Sequence, residues 1–231
     1  MIYTLVFFGT LLLSLLAMAL VRGAYAKYSN VPASSGLTGA EVAHRILSVS
    51  GIRDVDIQAI PGTLTDHYDP TRKVLNLSEA NYYGRSLAAI GVSAHECGHA
   101  IQHQHNYAPL NWRMAAVGIT SFASNMLGVI MLLSFVGMFL HIVLPMKAMM
   151  VGMALAFFII MLFQLVTLPV EFDATARAKR IVAKIGAIAP GEETVGMNRV
   201  LDAAALTYVA AFISALAQFL YYFISLLNSR N

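Results

Sequence analysis

The sequence predicts a mainly α-helical membrane protein with about four transmembrane helices and a small α+β lobe. Of its 231 residues, 58% are hydrophobic and only 12% are charged, so the chain is more apolar than a soluble domain of this length. All twelve acidic residues and thirteen of the fifteen Lys and Arg lie in two polar stretches, roughly 22–113 and 171–203. Each remaining segment can supply the roughly 20 apolar residues of a spanning helix: about 2–21, 114–146, 148–170 and 203–229.

The first apolar run is predicted to remain as an anchor. A cleaved secretory signal is the alternative, but the run lacks a basic n-region, its apolar core is too long, and no convincing small-residue cleavage site follows. The single cysteine, Cys97, excludes an internal disulfide and suits a reducing compartment.

Basic residues near the helix ends predict the orientation. Arg22, Lys27 and Arg113 flank the first polar stretch and five more basic residues lie in the second, whereas only Lys147 and Arg230 lie on the opposite side. With four crossings both polar stretches share one face, and the positive-inside rule makes that face cytoplasmic. The formal net charge of +3 therefore indicates topology, and we expect no nucleic-acid partner.

These boundaries predict five consecutive segments. They are a transmembrane anchor at 1–22, a cytoplasmic lobe at 23–113, a transmembrane helical hairpin at 114–170, a cytoplasmic helical segment at 171–203 and a C-terminal transmembrane helix at 204–231.

The first polar stretch predicts both helices and strands. Thr38 and Glu41 form a capping-box pattern, and Gly51 is placed to end the helix that they begin. Alternating apolar residues then predict a strand, a loop and a second strand within 52–78, with 73–77 considered as an edge strand. A further helix is predicted from Ser86 to about Gln104.

That last helix carries His95-Glu96-Cys97-Gly98-His99. Histidines four apart project from one helix face, where both imidazoles can bind one zinc ion. Beside such an ion, Glu96 can take a proton from metal-bound water. A chance match on an amphipathic helix is the alternative. Against it, Gly98 inside a helix costs about 1 kcal/mol relative to Ala, which indicates that another group approaches closely there.

Catalytic zinc needs a third protein ligand, and the candidates are His103, His105 and a distant carboxylate. The backbone of His103 would lie about 12 Å from that of His95 along a straight helix, so both later histidines are interpreted as surface or interfacial residues. Glu171 follows the third apolar run, and the topology puts it on the same face as the motif. We therefore favour Glu171 as the third ligand over a carboxylate that only marks a helix boundary.

Five other residues are considered for roles near the site or in the core. Asp173 or Asp202 can orient a histidine by accepting its other ring N–H, and spacing does not choose between them. His67 can reach the active site from its loop, but it is interpreted as an ordinary exposed histidine. Cys97 lies two positions from each motif histidine and is interpreted as a buried small residue, with a thiolate ligand as the alternative. Tyr208 is a candidate for holding an oxyanion.

Five segments carry a resemblance to a known family. They are Val74-Leu75-Asn76-Leu77-Ser78, Gly84-Arg85-Ser86, Ala94-His95-Glu96-Cys97-Gly98-His99-Ala100-Ile101-Gln102, Glu171-Phe172-Asp173-Ala174 and Val200-Leu201-Asp202-Ala203-Ala204-Ala205-Leu206-Thr207-Tyr208-Val209-Ala210. Over essentially its whole length the chain resembles the YugP-like family of predicted neutral zinc metallopeptidases. More distantly it is similar to HtpX and the CAAX prenyl proteases. The resemblance implies a zincin-like lobe with His95, His99 and Glu171 as zinc ligands and Glu96 as the base.

The expected function is therefore hydrolysis of peptide bonds by a membrane-embedded zinc metallopeptidase. Its partners would be a peptide or protein substrate and the lipid bilayer, in a bacterial cell membrane with the active site facing the cytoplasm. One alternative is a metal-binding scaffold that cleaves nothing. An intramembrane protease is disfavoured because the motif is not inside a 20-residue apolar run. A small transporter is disfavoured because the spans carry no charge to mark an ion path.

Overall fold

The computed structural model describes residues 2–141 and 145–228. The remaining parts of the predicted hairpin and last helix, and Arg230 with its predicted location, lie outside the described residues. The elements are α1 (Ile2–Tyr28), α2 (Gly39–Val49), β1 (Asp56–Ile60), β2 (His67–Asp69), β3 (Val74–Ser78), α3 (Glu79–Tyr82), α4 (Leu87–Gln104), α5 (Ala108–Leu140), α6 (Met146–Lys184) and α7 (Glu192–Asn228). Within this described part, α1, α5, α6 and α7 are long and apolar enough to cross a membrane. The prediction of a mainly α membrane protein with a small α+β lobe is thus confirmed.

The chain divides into two compact units. The membrane unit comprises 1–16, 112–168 and 208–231, and the polar unit comprises 17–111 and 169–207. In the membrane unit, aromatic rings join three of the helices: Tyr3 packs on Tyr222, which stacks on Phe157.

Helix α2 begins at the predicted capping box. Thr38 Oγ1 accepts a hydrogen bond from the backbone N–H of Glu41 (3.2 Å), while the Glu41 carboxylate accepts one from the backbone N–H of Thr38 (2.7 Å). Gly51 follows the helix with a positive φ of 72°, a conformation that glycine adopts without steric cost. The local sequence therefore determines both ends of α2.

The sheet corrects the prediction that 73–77 is an edge strand. Its order is β1-β3-β2, so β3 is the central strand, parallel to β1 and antiparallel to β2. All five residues of β3 are buried. The prediction was wrong because it did not include β2, whose short polar sequence His67-Tyr68-Asp69 is typical of a loop. In the structure β2 forms a hairpin with β3, and Asp69 Oδ1 accepts the backbone N–H groups of Thr71 and Arg72 in the turn.

Helix α4 is the central element of the polar unit. Its predicted start is confirmed, since Ser86 is the N-cap and its hydroxyl accepts the N–H of Ala89. Fourteen of its eighteen residues are buried, so the helix packs on several sides at once. Its apolar residues join a core formed with α2, β3 and the polar parts of α6 and α7. This packing leaves α4 little freedom to rotate or slide, as a site built on one helix requires.

Candidate metal centre

Two complementary helix faces meet in the polar unit. His95, Gly98 and His99 lie on one face of α4, since residues three and four apart are neighbours on a helix. Glu171 and Ala174 lie on the facing side of α6. A Cβ built on Gly98 would come within 2.6 Å of the carbonyl oxygen of Ala174 and 3.0 Å of its Cα. Another backbone does therefore approach Gly98 closely, as the sequence predicts, and this approach brings Glu171 to the histidines.

His95, His99 and Glu171 offer three metal-ligating atoms that all lie within 4.8 Å of one another. Glu171 Oε2 lies 3.2 Å from His95 Nε2 and 3.5 Å from His99 Nε2. Ligand atoms of a tetrahedral zinc site with bonds near 2.1 Å lie about 3.4 Å apart. Two imidazoles and one carboxylate also form a donor set of catalytic zinc. The chemistry and spacing of this cluster therefore fit a zinc ion.

The Nδ1 atom of each imidazole ring contacts an oxygen atom of a neighbouring side chain. Thr175 Oγ1 lies 3.2 Å from His95 Nδ1, and Gln102 Oε1 lies 3.0 Å from His99 Nδ1. In each ring, Nδ1 has a side-chain oxygen as its partner and Nε2 faces Glu171. Such contacts orient metal-binding histidines in proteins.

Burial and Glu171 act in opposite directions on the pKa of His99. Burial lowers the pKa of the His99 imidazole, but the hydrogen bond to Glu171 and the negative charges of Glu171 and Glu96 raise it, and the net pKa lies above its usual value. The pocket thus stabilises positive charge at this position. A bound cation would exploit the same negative field.

Glu96 is buried next to the first histidine. Its Oε2 accepts a hydrogen bond of 3.0 Å from the backbone N–H of Tyr68, so strand β2 orients the carboxylate. Burial, together with the nearby Asp54 and Asp69, raises the pKa of the Tyr68 phenol to about 12. The phenol is therefore neutral at physiological pH, and its hydroxyl lies 2.9 Å from His103 Nδ1.

The structure places the alternative third ligands away from the cluster. His103 contacts Tyr68, as described, and the exposed His105 lies with its Nδ1 3.4 Å from Arg177. Among the described residues, the group with metal-binding geometry contains neither of them. His105 is exposed and His103 is half-buried.

The two aspartates have different partners. Asp173 accepts hydrogen bonds from Arg177 (2.5 Å) and from the Gln102 amide (2.9 Å), so it reaches His99 only through Gln102. Asp202 pairs instead with Lys179.

Three further residues considered from the sequence are His67, Cys97 and Tyr208. His67 is exposed and its ring contacts Thr65 and Asn76. Cys97 is fully buried, and burial raises the pKa of its thiol well above the usual value. Tyr208 lies on α7, in the membrane unit.

The contacts of Gln102 with His99 and of Thr175 with His95 were not among the sequence predictions. A signal for both was present. Gln102 follows His99 by three residues and Thr175 follows Glu171 by four, the two spacings that share a helix face. Which neighbouring helix each face meets is a tertiary fact, and no spacing within one helix reveals it.

Because the backbone of α6 lies so close to Gly98, this position should not tolerate a larger side chain. Gly98→Ala is expected to destabilise the protein by about 1–3 kcal/mol, since overpacking forces backbone shifts, and to weaken zinc binding by moving α6 away from α4. Thermal unfolding and chelator competition measure the two effects. Gly118→Ala is the control, because a Cβ there meets no atom within 4 Å and alanine favours helix. An unchanged melting temperature and zinc affinity in Gly98→Ala would contradict the prediction.

Two comparisons with known proteins show the family of the chain. Residues 3–227 match the model of a family described as "Putative neutral zinc metallopeptidase". The chain is 48% identical over 220 residues to a Bacillus subtilis (strain 168) protein described as "Putative membrane protease YugP", covering 95% of this chain and 94% of that protein. No solved structure matches the chain.

Proposed function

The chain belongs to the zinc metallopeptidase family whose model it matches, and from that premise we propose that it is a membrane-embedded peptidase that hydrolyses peptide bonds with activated water. The observation that carries the proposal is the convergence of His95, His99 and Glu171, with all three donor atoms within 4.8 Å. These residues would hold zinc through Nε2, Nε2 and Oε2. A zinc ion bound there would polarise the scissile carbonyl and lower the pKa of water toward neutrality.

Glu96 is the proposed general base. It adjoins His95 in the chain, is not a member of the three-residue cluster, and is itself buried. The N–H of Tyr68 binds one carboxylate oxygen, which leaves the other to accept a proton from the attacking water and later to deliver it to the leaving amine. Hydrolysis of a peptide mixture by the purified chain, lost in Glu96→Gln, is the test of this proposal.

The substrate would be a peptide or a protein, and the lipid bilayer is the second partner. Four candidate spanning helices and the relative described as a membrane protease support the membrane setting. We further propose a bacterial cell membrane with the polar unit in the cytoplasm, because eight basic residues flank or lie in the polar segments near the spans and Lys147 lies opposite.

The proposed orientation predicts which positions a membrane-impermeant maleimide can label. Tyr83→Cys, at a position 66% exposed in the polar unit, is expected to stay unlabelled in intact cells and to react after lysis. Lys147→Cys is expected to react in intact cells. The native Cys97 gives a silent background because it is buried and its pKa is raised. Labelling of Tyr83→Cys in intact cells would reverse the proposed orientation.

A further inference from the structure

Gln102 is a fully buried polar side chain at the end of α4 that the peptidase mechanism above does not use. Its amide nitrogen donates to the carbonyl of Val170 (2.7 Å) and to Asp173 Oδ2 (2.9 Å), both on α6. Its amide oxygen faces His99 Nδ1 at 3.0 Å. One amide group thus joins the metal cluster to the helix that supplies Glu171.

The partners of Gln102 leave its amide one orientation. A backbone carbonyl can only accept a hydrogen bond, and Asp173, which also accepts from Arg177 at 2.5 Å, is an acceptor as well. The NH₂ group must therefore face these two atoms, and the oxygen must face His99. Turning the amide over would set its oxygen against two acceptor oxygens.

This orientation decides which nitrogen of His99 carries a proton. The amide oxygen of Gln102 only accepts, so His99 Nδ1 must donate, which leaves the lone pair of a neutral ring on Nε2, facing Glu171. His95 differs, because its partner is the hydroxyl of Thr175, which can either donate or accept.

We propose that Gln102 is a positioning residue that selects the metal-binding tautomer of His99 and is itself oriented by Val170 and Asp173. The inference rests on the proposed function, since it assigns Gln102 a role toward the ion that His99 would bind. A buried glutamine that only fastens α4 to α6 would affect folding stability without a specific effect on the metal.

The first test compares zinc affinities of the full-length chain in detergent by competition with a chromophoric chelator. Gln102→Met keeps the side-chain volume and removes all three hydrogen bonds. Its zinc affinity is expected to fall about 10–100-fold, as for other outer partners of metal-binding histidines. The visible spectrum of bound Co²⁺ is expected to change with it, because the coordination geometry is no longer held.

Asn81→Leu is the matched control. Asn81 is a buried amide of the same unit that bonds to Tyr25 and Asp66, not to the metal cluster. Its replacement also exchanges a hydrogen-bonded amide for an apolar side chain. We expect a lower melting temperature with unchanged zinc affinity and an unchanged Co²⁺ spectrum.

A second pair of variants tests the contact between Gln102 and Asp173. It also provides an independent test if Gln102→Met does not fold. Gln102→Glu puts a carboxylate oxygen against Val170 and Asp173, so zinc affinity is expected to fall. Adding Asp173→Asn removes the negative charge that faces this new carboxylate, while an amide oxygen can still accept from Arg177. We therefore expect the double variant to regain part of the zinc affinity that Gln102→Glu loses. Asp173→Asn alone still accepts from Gln102 and is expected to change affinity little.

The outcomes separate the two proposals. Zinc binding by the wild type, together with wild-type affinity in Gln102→Met or no recovery in the double variant, would overturn the role of Gln102. A wild-type chain that binds no zinc would overturn the metallopeptidase proposal, and this inference with it.

Discussion

Replacing Glu96 with Gln is expected to lower the rate of peptide hydrolysis about 10²–10⁴-fold, the usual contribution of a general base, while zinc stays bound. The amide has the shape of the carboxylate, and its oxygen can still accept the N–H of Tyr68 that now holds Glu96. It cannot accept a proton at neutral pH, so only the base function is lost. Release of new amino termini from a peptide mixture measures the rate, and metal analysis of the same samples measures zinc content.

Glu79→Gln is the control, since Glu79 is an exposed carboxylate of the same unit at the start of α3. It is expected to leave the rate unchanged. Hydrolysis by Glu96→Gln at the wild-type rate would remove Glu96 from its role. A wild-type protein that binds zinc but cleaves nothing would favour the alternative of a metal-binding scaffold.

The second large effect is expected from Glu171→Ala. Glu171 is only 2% exposed, and its Oε2 is the atom shared by both histidines. Loss of a proposed ligand should weaken zinc binding by more than the roughly 10–100-fold cost of losing an outer partner. Metal content after dialysis against a weak chelator measures the loss, and Glu171→Gln repeats the test with the side-chain volume kept.

His103→Ala is the matched comparison for Glu171→Ala. His103 lies two turns from His95 on the same helix, and its ring contacts the Tyr68 hydroxyl and not the three proposed ligands. It is expected to retain zinc. Loss of zinc from His103→Ala and its retention in both Glu171 variants would refute the proposed ligand set.

The features that the sequence predicted well depend on nearby residues. The four apolar helices follow from composition along continuous runs, because a bilayer requires about 20 apolar residues wherever the chain crosses. The capping box of α2 and the N-cap of α4 involve residues three apart. Neither kind of signal needs information from a distant part of the chain.

The sheet shows where such reasoning fails. Strand β2 has three residues, two of them polar, and a run this short carries no clear alternation. It pairs with β3, so β3 is a buried central strand and not the edge strand that the sequence predicted. Strand order depends on contacts between separate segments, which the pattern within each strand does not report.

Patterns within the sequence predict four candidate membrane-spanning helices, the helix that carries His95 and His99, and Glu171 as the carboxylate to consider with them. These patterns could not predict that α6 lies against Gly98, that Glu171 Oε2 meets both imidazoles, or that Gln102 links His99 to Asp173, which the packed structure shows. The physical reason is that helical periodicity assigns residues to a face, whereas the partner of that face depends on how closely two backbones can pack. At Gly98 a missing Cβ permits that approach, and the donor atoms meet there.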